Sequence, residues 1–229
     1  MGEKQSISLV YGPPGSGKTT IIDQIRNEKN VVCISVGEIS RKEIALKTEL
    51  GLRLKDCLDR VVEYPPMLIS GLVEPYIKDG IKNNKTIILD GFPKYKQEVP
   101  AFIEIVDGND IPEIKIIHLT LPLEETLDRV RYRRICNLCG DQIRIEKFEE
   151  QNHQGCGGNL VTRDDDLPEI IKRRYGDYQR TVSETINSLS QHKSIIITNI
   201  DASKDIKSLL LELNNIFNIC PGSSAERVP

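Results

Sequence analysis

A glycine-rich segment near the N-terminus carries residues suited to binding a phosphate chain. Gly12, Gly17, Lys18 and Thr19 fit the pattern G-x-x-x-x-G-K-[ST], between an apolar run at 7–11 and a segment that we expect to be helical. Glycines let backbone N–H groups point inward, and a helix N-terminus adds a positive field. Lys18 would meet the β- and γ-phosphates, and the Thr19 hydroxyl would meet Mg²⁺. The predicted phosphate site comprises Gly12, Pro13, Gly15, Ser16, Gly17, Lys18, Thr19 and Thr20.

A second group of reactive side chains lies between residues 132 and 166. Cys136-x-x-Cys139 and His153-x-x-Cys156 are separated by 13 residues and offer four nitrogen and sulfur ligands, as tetrahedral zinc prefers. We expect a structural zinc, because four protein ligands leave no open position for catalysis. Free thiols beside a surface histidine, or a metal-free remnant of such a site, are the alternatives.

The composition bounds what the chain can be. Its 229 residues, 38% of them apolar, can bury a full core as one domain or as one domain with an insert. The net charge of −3 argues against a general nucleic-acid binder. No apolar run approaches the length of a membrane span, and no signal-peptide region opens the chain, so we expect a cytoplasmic protein.

The order of the predicted elements indicates an α/β protein built on a five-stranded parallel sheet, with helices on both faces. The predicted strands are 7–11, 31–35, 86–90, 114–121 and 194–198. The predicted helices are 18–29, one or more within 37–62, 67–81, 98–106, 123–134, 168–189 and 204–217. We expect a core of 1–35, 86–131 and 167–220, a helical insert at 36–80, a small Cys-bearing lid at 132–166 and a flexible tail at 221–229. Ligands of such sheets bind at the carboxyl ends of the strands.

Several segments, in the right order, resemble the adenylate kinase family of nucleoside monophosphate kinases, whose members have a P-loop NTPase fold. The resemblance covers nearly the whole chain and includes the phosphate-binding loop already described. The other matching segments are Ser35-Val36-Gly37-Glu38 with Arg41, Leu89-Asp90-Gly91-Phe92-Pro93-Lys94, residues 128–134 entering the lid, residues 162–166 with Arg174 leaving it, and Asp201-Ala202-Ser203. The expected reaction is phosphoryl transfer from MgATP to a nucleoside monophosphate, by a monomer that binds these small molecules and no nucleic acid or membrane.

The resemblance also implies roles for individual residues. The expected catalytic set is Lys18, Asp90, Arg129, Arg133, Arg163 and Arg174, with Asp90 holding Mg²⁺ through water, Arg129 stacking on the donor base and the other arginines bridging the phosphates. Arg129 and Arg133 are also expected to bind the phosphoryl donor, ATP. The expected acceptor-binding set is Val36, Arg41, Gly91, Lys94, Gln97, Arg163 and Arg174. Asp165 and Asp166 would tether lid arginines. Bringing two phosphate chains together requires such converging cations.

Zinc-bearing lids occur in some family members, and the alignment of Cys156-Gly-Gly-Asn-Leu with their Cys-Gly-Gly-Glu-Leu places His153 at the third ligand position. A rival set would use Asn159 in place of His153. Amide oxygens are poor ligands for zinc, so we prefer Cys136, Cys139, His153 and Cys156.

The acceptor site departs from the family pattern. Lys94 stands where the family has arginine, and Val36 replaces a threonine or an alanine. The family's base-reading glutamine comes four residues after that arginine, where this chain has Glu98, while Gln97 comes three residues after Lys94. With these positions changed, the sequence does not determine which base the acceptor nucleotide carries. AMP is the expected acceptor, because zinc-bearing lids are an adenylate kinase trait. A UMP/CMP kinase, a non-catalytic nucleotide-binding protein of the same fold and a nucleic-acid-binding zinc module are the alternatives.

Overall fold

The computed structural model describes residues 6–26, 30–60, 64–109, 111–163 and 166–217. Five strands form a parallel sheet in the order β2-β3-β1-β4-β8, and three short strands form a separate antiparallel sheet in the order β6-β5-β7. The strands are β1 Ser6–Tyr11, β2 Val31–Ser35, β3 Thr86–Asp90, β4 Glu113–Thr120, β5 Arg133–Cys136, β6 Gln142–Arg144, β7 Leu160–Val161 and β8 Ile195–Asp201. The helices are α1 Lys18–Ile25, α2 Val36–Leu46, α3 Glu49–Asp59, α4 Pro66–Lys82, α5 Val99–Asp107, α6 Leu123–Arg131, α7 Pro168–Leu189 and α8 Ile206–Phe217, with a 3₁₀ turn at Lys96–Glu98.

Alternating side chains of the parallel strands bury two apolar faces. On one face, Ile7 and Leu9 of β1 pack in a cluster with Phe102 of α5 and residues of α4 and α7. On the other face, Val10 packs in a cluster with Ile21 of α1 and residues of α8. Period-two alternation puts neighbouring residues of a strand on opposite faces. The prediction of a five-stranded parallel sheet covered on both faces is therefore confirmed.

The register of the sheet brings the carboxyl ends of three strands together. Asp90, the last residue of β3, is paired with Val10 of β1 and with Ser35 of β2. The chain leaves β1 for the glycine-rich loop one residue beyond Tyr11. Parallel strands that end in register present their following loops at one edge, which is the edge where the phosphate-binding residues were expected.

Helices α2 and α3 form a tight pair after β2. Thr48 begins α3 as its N-cap, because its Oγ1 accepts the N–H of Gly51 at 2.9 Å. The same hydroxyl donates to Glu43 Oε2 at 2.6 Å, which ties the start of α3 to α2. Buried residues of the following α4 belong to the same apolar cluster as β1. The division into core, insert and lid stays a prediction.

The predicted helix at 123–134 is wrong at its end. Helix α6 ends at Arg131, and Arg133–Cys136 form strand β5, which pairs with both β6 and β7. Inter-strand hydrogen bonds with two partners outweigh the helical pattern of this arginine-rich run. The helix predicted at 18–29 includes α1, and its last residues, 27–29, lie outside the described residues. The predicted tail at 221–229 also lies outside them. Within the described part of the chain, no helix combines the length and apolar character needed to cross a bilayer.

Candidate active site

The glycine-rich loop forms a turn that only glycine adopts readily. Gly15 and Gly17 have φ values of 74° and 86°, in the left-handed region that disfavours side chains. Gly17 is the N-cap of α1, where no side chain caps the helix and no acidic residue lies in the first turn. The first N–H groups of α1 are therefore left for an anion, and Thr19 and Thr20 are exposed beside them. This is the geometry expected of a phosphate site.

Lys18 folds back over the same loop. Its Nζ lies 2.5 Å from the Gly12 carbonyl oxygen, 3.1 Å from that of Pro13 and 3.5 Å from Ser16 Oγ. Burial, with smaller contributions from the charges of Arg174 and Arg133, lowers the pKa of Lys18 to about 8, although the charge of Asp90 acts in the opposite direction. The cationic side chains thus converge near this loop, as a site for clustered negative charge requires.

Asp90 lies at the strand edge opposite Lys18. Ser35 Oγ donates a hydrogen bond to Asp90 Oδ2 at 3.3 Å. Burial raises the pKa of Asp90, while the charge of Lys18 and the bond from Ser35 act in the opposite direction. A carboxylate held here and the exposed Thr19 hydroxyl are the hard oxygen ligands that Mg²⁺ prefers, so the residues present fit this ion.

A cavity of about 400 Å³ lies between the glycine-rich loop, the end of β3 and α7. Six of the residues predicted from sequence line it: Gly12, Lys18, Asp90, Gly91, Lys94 and, on α7, Arg174. Loop residue Lys18 and acceptor-side residue Lys94 therefore face one shared space. A single space lined from both sides is what transfer between two bound phosphate chains requires.

The remaining acceptor-side residues lie around this cavity and do not line it. Val36 is buried at the start of α2, and its Cβ lies 3.6 Å from the position that a Cβ on Gly91 would take. Arg41 is exposed on α2, with its guanidinium over Gly37. Gln97 is exposed in the 3₁₀ turn. Lys94 itself is exposed, with its Nζ 4.9 Å from the centre of the Tyr95 ring.

Arg129 of α6 and Arg133 of β5 are held by partners from distant parts of the chain. Arg129 Nη2 donates to the Ala202 carbonyl oxygen at 2.7 Å, just after β8. Arg133 forms a two-point ion pair with Asp166, in which Nε lies 2.9 Å from Oδ2. The N–H of Asp166 donates to the Arg163 carbonyl oxygen at 3.1 Å. Asp165 lies outside the described residues, so its predicted tether stays a prediction.

Cys136, Cys139, His153 and Cys156 bring their ligand atoms together within 4.8 Å of one another. Cys156 Sγ lies 3.4 Å from Cys136 Sγ and 3.5 Å from Cys139 Sγ, and His153 Nδ1 lies 3.3 Å from both Cys139 Sγ and Cys156 Sγ. Zinc bound about 2.3 Å from sulfur and about 2.0 Å from nitrogen separates tetrahedral ligand atoms by about 3.5 Å. The donor set and its spacing therefore fit zinc.

The rival ligand Asn159 is engaged elsewhere. Its Oδ1 accepts a hydrogen bond from Asn152 Nδ2 at 3.3 Å, and its backbone N–H donates to Asn137 Oδ1 at 2.9 Å. The first bond occupies the side-chain oxygen of Asn159 that a zinc ion would have to bind. The fourth member of the ligand group is therefore His153.

Helix α7 supplies site residues that sequence reasoning missed. Asp177, Tyr178 and Thr181 line the cavity together with Arg174. Their spacing from Arg174 is three, four and seven residues, which is one face of a helix. That periodicity, counted from the predicted Arg174, could have found them. Ser35 belongs to the matching segment at 35–38 but was not predicted as a site residue. Its hydrogen bond to Asp90, 55 residues away, has no local sequence signal.

Comparison with known proteins agrees with this geometry. The family model described as Adenylate kinase matches residues 10–194. The chain is 31% identical to the Adenylate kinase of Archaeoglobus fulgidus, over 92% of this chain and 98% of that protein. It is 34% identical to the Adenylate kinase of Borreliella burgdorferi, over 92% and 98% of the two chains. A third relative, the Adenylate kinase of Pyrococcus horikoshii, is 34% identical over 78% of this chain and 81% of its own.

Proposed function

Because this chain belongs to the adenylate kinase family, we propose that it transfers a phosphoryl group from MgATP to AMP and forms two ADP. The enzyme is a phosphotransferase of the nucleoside monophosphate kinase type. The observation that carries the proposal is the shared cavity, which Lys18 lines from the glycine-rich loop and Lys94 lines from the acceptor side. An enzyme that joins two nucleotides through their phosphates needs cations on both sides of one space.

The residues divide into a donor side and an acceptor side. The N–H groups at the start of α1 and the ammonium of Lys18 would hold the β- and γ-phosphates of ATP. Arg41 and Lys94 would hold the phosphate of the acceptor. Arg174, which lines the cavity, would neutralise charge that spreads over the transferred group.

Mg²⁺, when bound, would supply positive charge that offsets part of the charge of the donor phosphates. Asp90 would hold it through water, with the Thr19 hydroxyl as a second oxygen ligand. The bond from Ser35 Oγ keeps the Asp90 carboxylate oriented toward the cavity. Arg133 and Arg163, at the two ends of the lid, would reach the phosphates when the lid covers the site and excludes water.

The four lid ligands would hold a structural zinc ion. The lid has three short strands and little apolar core, and structural zinc contributes roughly 10–16 kcal/mol in small peptides. We expect one zinc per chain by metal analysis. The Cys139→Ala variant should lose the metal and most turnover while the parallel sheet stays folded. Cys33→Ala, which removes a thiol of β2, is the matched control and should keep one zinc.

A coupled assay with ATP and each nucleoside monophosphate tests the proposed reaction. We expect turnover with AMP to exceed that with CMP or UMP. Faster turnover with CMP or UMP would instead assign a pyrimidine acceptor. ATP binding without turnover of any acceptor would identify a non-catalytic nucleotide-binding protein. A monomeric state and a cytoplasmic location also remain predictions.

A further inference from the structure

The Glu98 carboxylate accepts hydrogen bonds from the backbone of residues 94 and 95, next to the predicted acceptor site. The side chain is buried, with 2% of the residue exposed. Its Oε2 accepts the N–H of Lys94 at 2.5 Å and the N–H of Tyr95 at 3.2 Å. Hydrogen bonds from N–H groups to an ionised carboxylate are about twice as strong as those between neutral groups. Glu98 occupies the position of the family's base-reading glutamine. In this chain, its carboxylate is hydrogen-bonded to backbone N–H groups instead.

Two further hydroxyl groups bind the same segment. Tyr11 Oη donates to the Pro93 carbonyl oxygen at 2.6 Å. Thr185 Oγ1, on α7, lies 3.0 Å from the Lys94 carbonyl oxygen and shares its proton with the Thr181 carbonyl oxygen at 2.9 Å. Burial raises the pKa of Tyr11 and the Glu98 carboxylate adds to this, so the phenol stays a donor. The backbone at residues 93–95 is thus held from β1, from the 3₁₀ turn and from α7.

We propose that Glu98 is a positioning residue that fixes the backbone of Lys94, so that the Lys94 ammonium faces the acceptor phosphate, and that Glu98 does not read the acceptor base. The inference rests on the proposed function, since it assigns Lys94 to the acceptor phosphate. Glu98 is 2% exposed, so its carboxylate would have to turn out of the protein interior to bond a base, and the N–H groups of Lys94 and Tyr95 would then lose their acceptor. The loss of such a bond costs the full desolvation of the donor.

A lysine at this position has particular need of such support. Its ammonium is a point charge on a flexible stem, whereas an arginine fork orients itself through two parallel bonds to a phosphate. Fixing the backbone atoms on both sides of the Lys94 Cα sets the direction of its Cα–Cβ bond, from which that stem extends. The Lys94 ammonium can then meet the acceptor phosphate beside Arg41 from a fixed starting point, and base selection is left to residues other than Glu98.

The test measures kcat and KM for AMP, CMP, UMP and GMP, and KM for ATP, in four variants: Glu98→Ala, Glu98→Gln, Lys94→Ala and the Glu98→Ala/Lys94→Ala double variant. We expect Glu98→Ala to raise KM by the same factor, about tenfold, for every acceptor, with KM for ATP unchanged. Glu98→Gln should restore KM to within about twofold, because an amide oxygen accepts the same two N–H bonds. In the Lys94→Ala background, the loss of Glu98 should add little.

Two results would overturn the proposal that Glu98 positions Lys94. A change in the ratio of KM values between acceptors in Glu98→Gln would show that Glu98 reads the base, and would overturn the proposal. The proposal would also be overturned if the double variant raised KM by the product of the factors found for the two single variants. If Glu98→Ala does not fold, the acceptor ratios of Glu98→Gln decide alone. Glu104→Ala, which removes an exposed carboxylate from α5, is the matched control and should change no parameter. Failure of the proposed function is distinct, because the unmodified protein would then turn over no acceptor or would prefer CMP or UMP to AMP.

Discussion

Arg133 and Asp166 form a two-point ion pair that joins the strand entering the lid to the segment leaving it. The Asp166 side chain is 1% exposed and that of Arg133 is 20% exposed, so solvent screens the pair little. The pair closes a loop that contains the whole Cys/His cluster. The relative position of the segments that enter and leave residues 132–166 therefore depends on this contact.

Asp166→Asn should destabilise the protein by about 2 kcal/mol, because it removes a buried charged acceptor and leaves the Arg133 guanidinium partly unpaired. The free energy of unfolding in urea measures this loss. Asp59→Asn is the control, since its partner Lys55 lies 2.8 Å away on an exposed face of α3. That variant should lose less than about 0.5 kcal/mol. Equal losses in both variants would show that the lid pair contributes no more than a surface pair.

ATP binding should weaken above the pKa of Lys18, which burial lowers to about 8. Below this pH the ammonium is charged before ATP arrives, whereas above it the free protein must take up a proton to bind the phosphates. The Kd for ATP should therefore rise by up to about tenfold per pH unit above pH 8, until the higher pKa of the complex is reached. Calorimetric titrations between about pH 7 and about pH 9.5 measure the slope and the proton uptake.

The Lys18→Arg variant is the control for this pH dependence. A guanidinium stays charged throughout the range, so its Kd for ATP should show no slope, whatever its absolute affinity. A flat profile in the unmodified protein would mean that the ammonium is fully charged at every pH tested.

Lys94→Arg should lower KM for AMP by about fivefold and leave KM for ATP unchanged. A guanidinium can hold the acceptor phosphate with two parallel bonds where the ammonium offers a point charge. The exposed side chain leaves room for the longer residue. Lys96→Arg, two residues away in the 3₁₀ turn, should change neither value. An unchanged or higher KM for AMP in Lys94→Arg would remove Lys94 from the acceptor-phosphate site.

Gly51→Ala should destabilise the helical pair α2–α3. A Cβ on Gly51 would lie 2.1 Å from the carbonyl oxygen of Glu43, which is backbone and cannot rotate away. The expected loss is about 1–3 kcal/mol in the free energy of unfolding.

Gly71→Ala is the matched control, because the same change in the interior of α4 meets no atom within 4 Å. It should stabilise the protein by up to about 1 kcal/mol, since alanine favours a helix over glycine. A neutral Gly51→Ala variant would show that α2 and α3 can separate at no cost.

Much of this protein follows from its sequence because the relevant patterns are local. The loop from Gly12 to Thr19 needs only its own glycines and the helix that follows, and both are recognisable in a run of eight residues. The four ligands Cys136, Cys139, His153 and Cys156 form two short knuckles whose internal spacing limits the geometry. Strand-like runs such as 31–35 and 86–90 were predicted correctly, because their central residues form the short apolar runs that are typical of strands in parallel sheets.

Other features were decided only when distant segments packed together. The sequence places Glu98 at the family's base-reading position, yet its carboxylate is buried against the N–H groups of Lys94 and Tyr95. Likewise, only packing selects the Ala202 carbonyl as the acceptor for Arg129, 73 residues away. Residue types restrict which bonds a side chain can make. Which bond forms depends on the direction in which the backbone points that side chain and on the donors left without water around it. Those two conditions exist only in the folded chain.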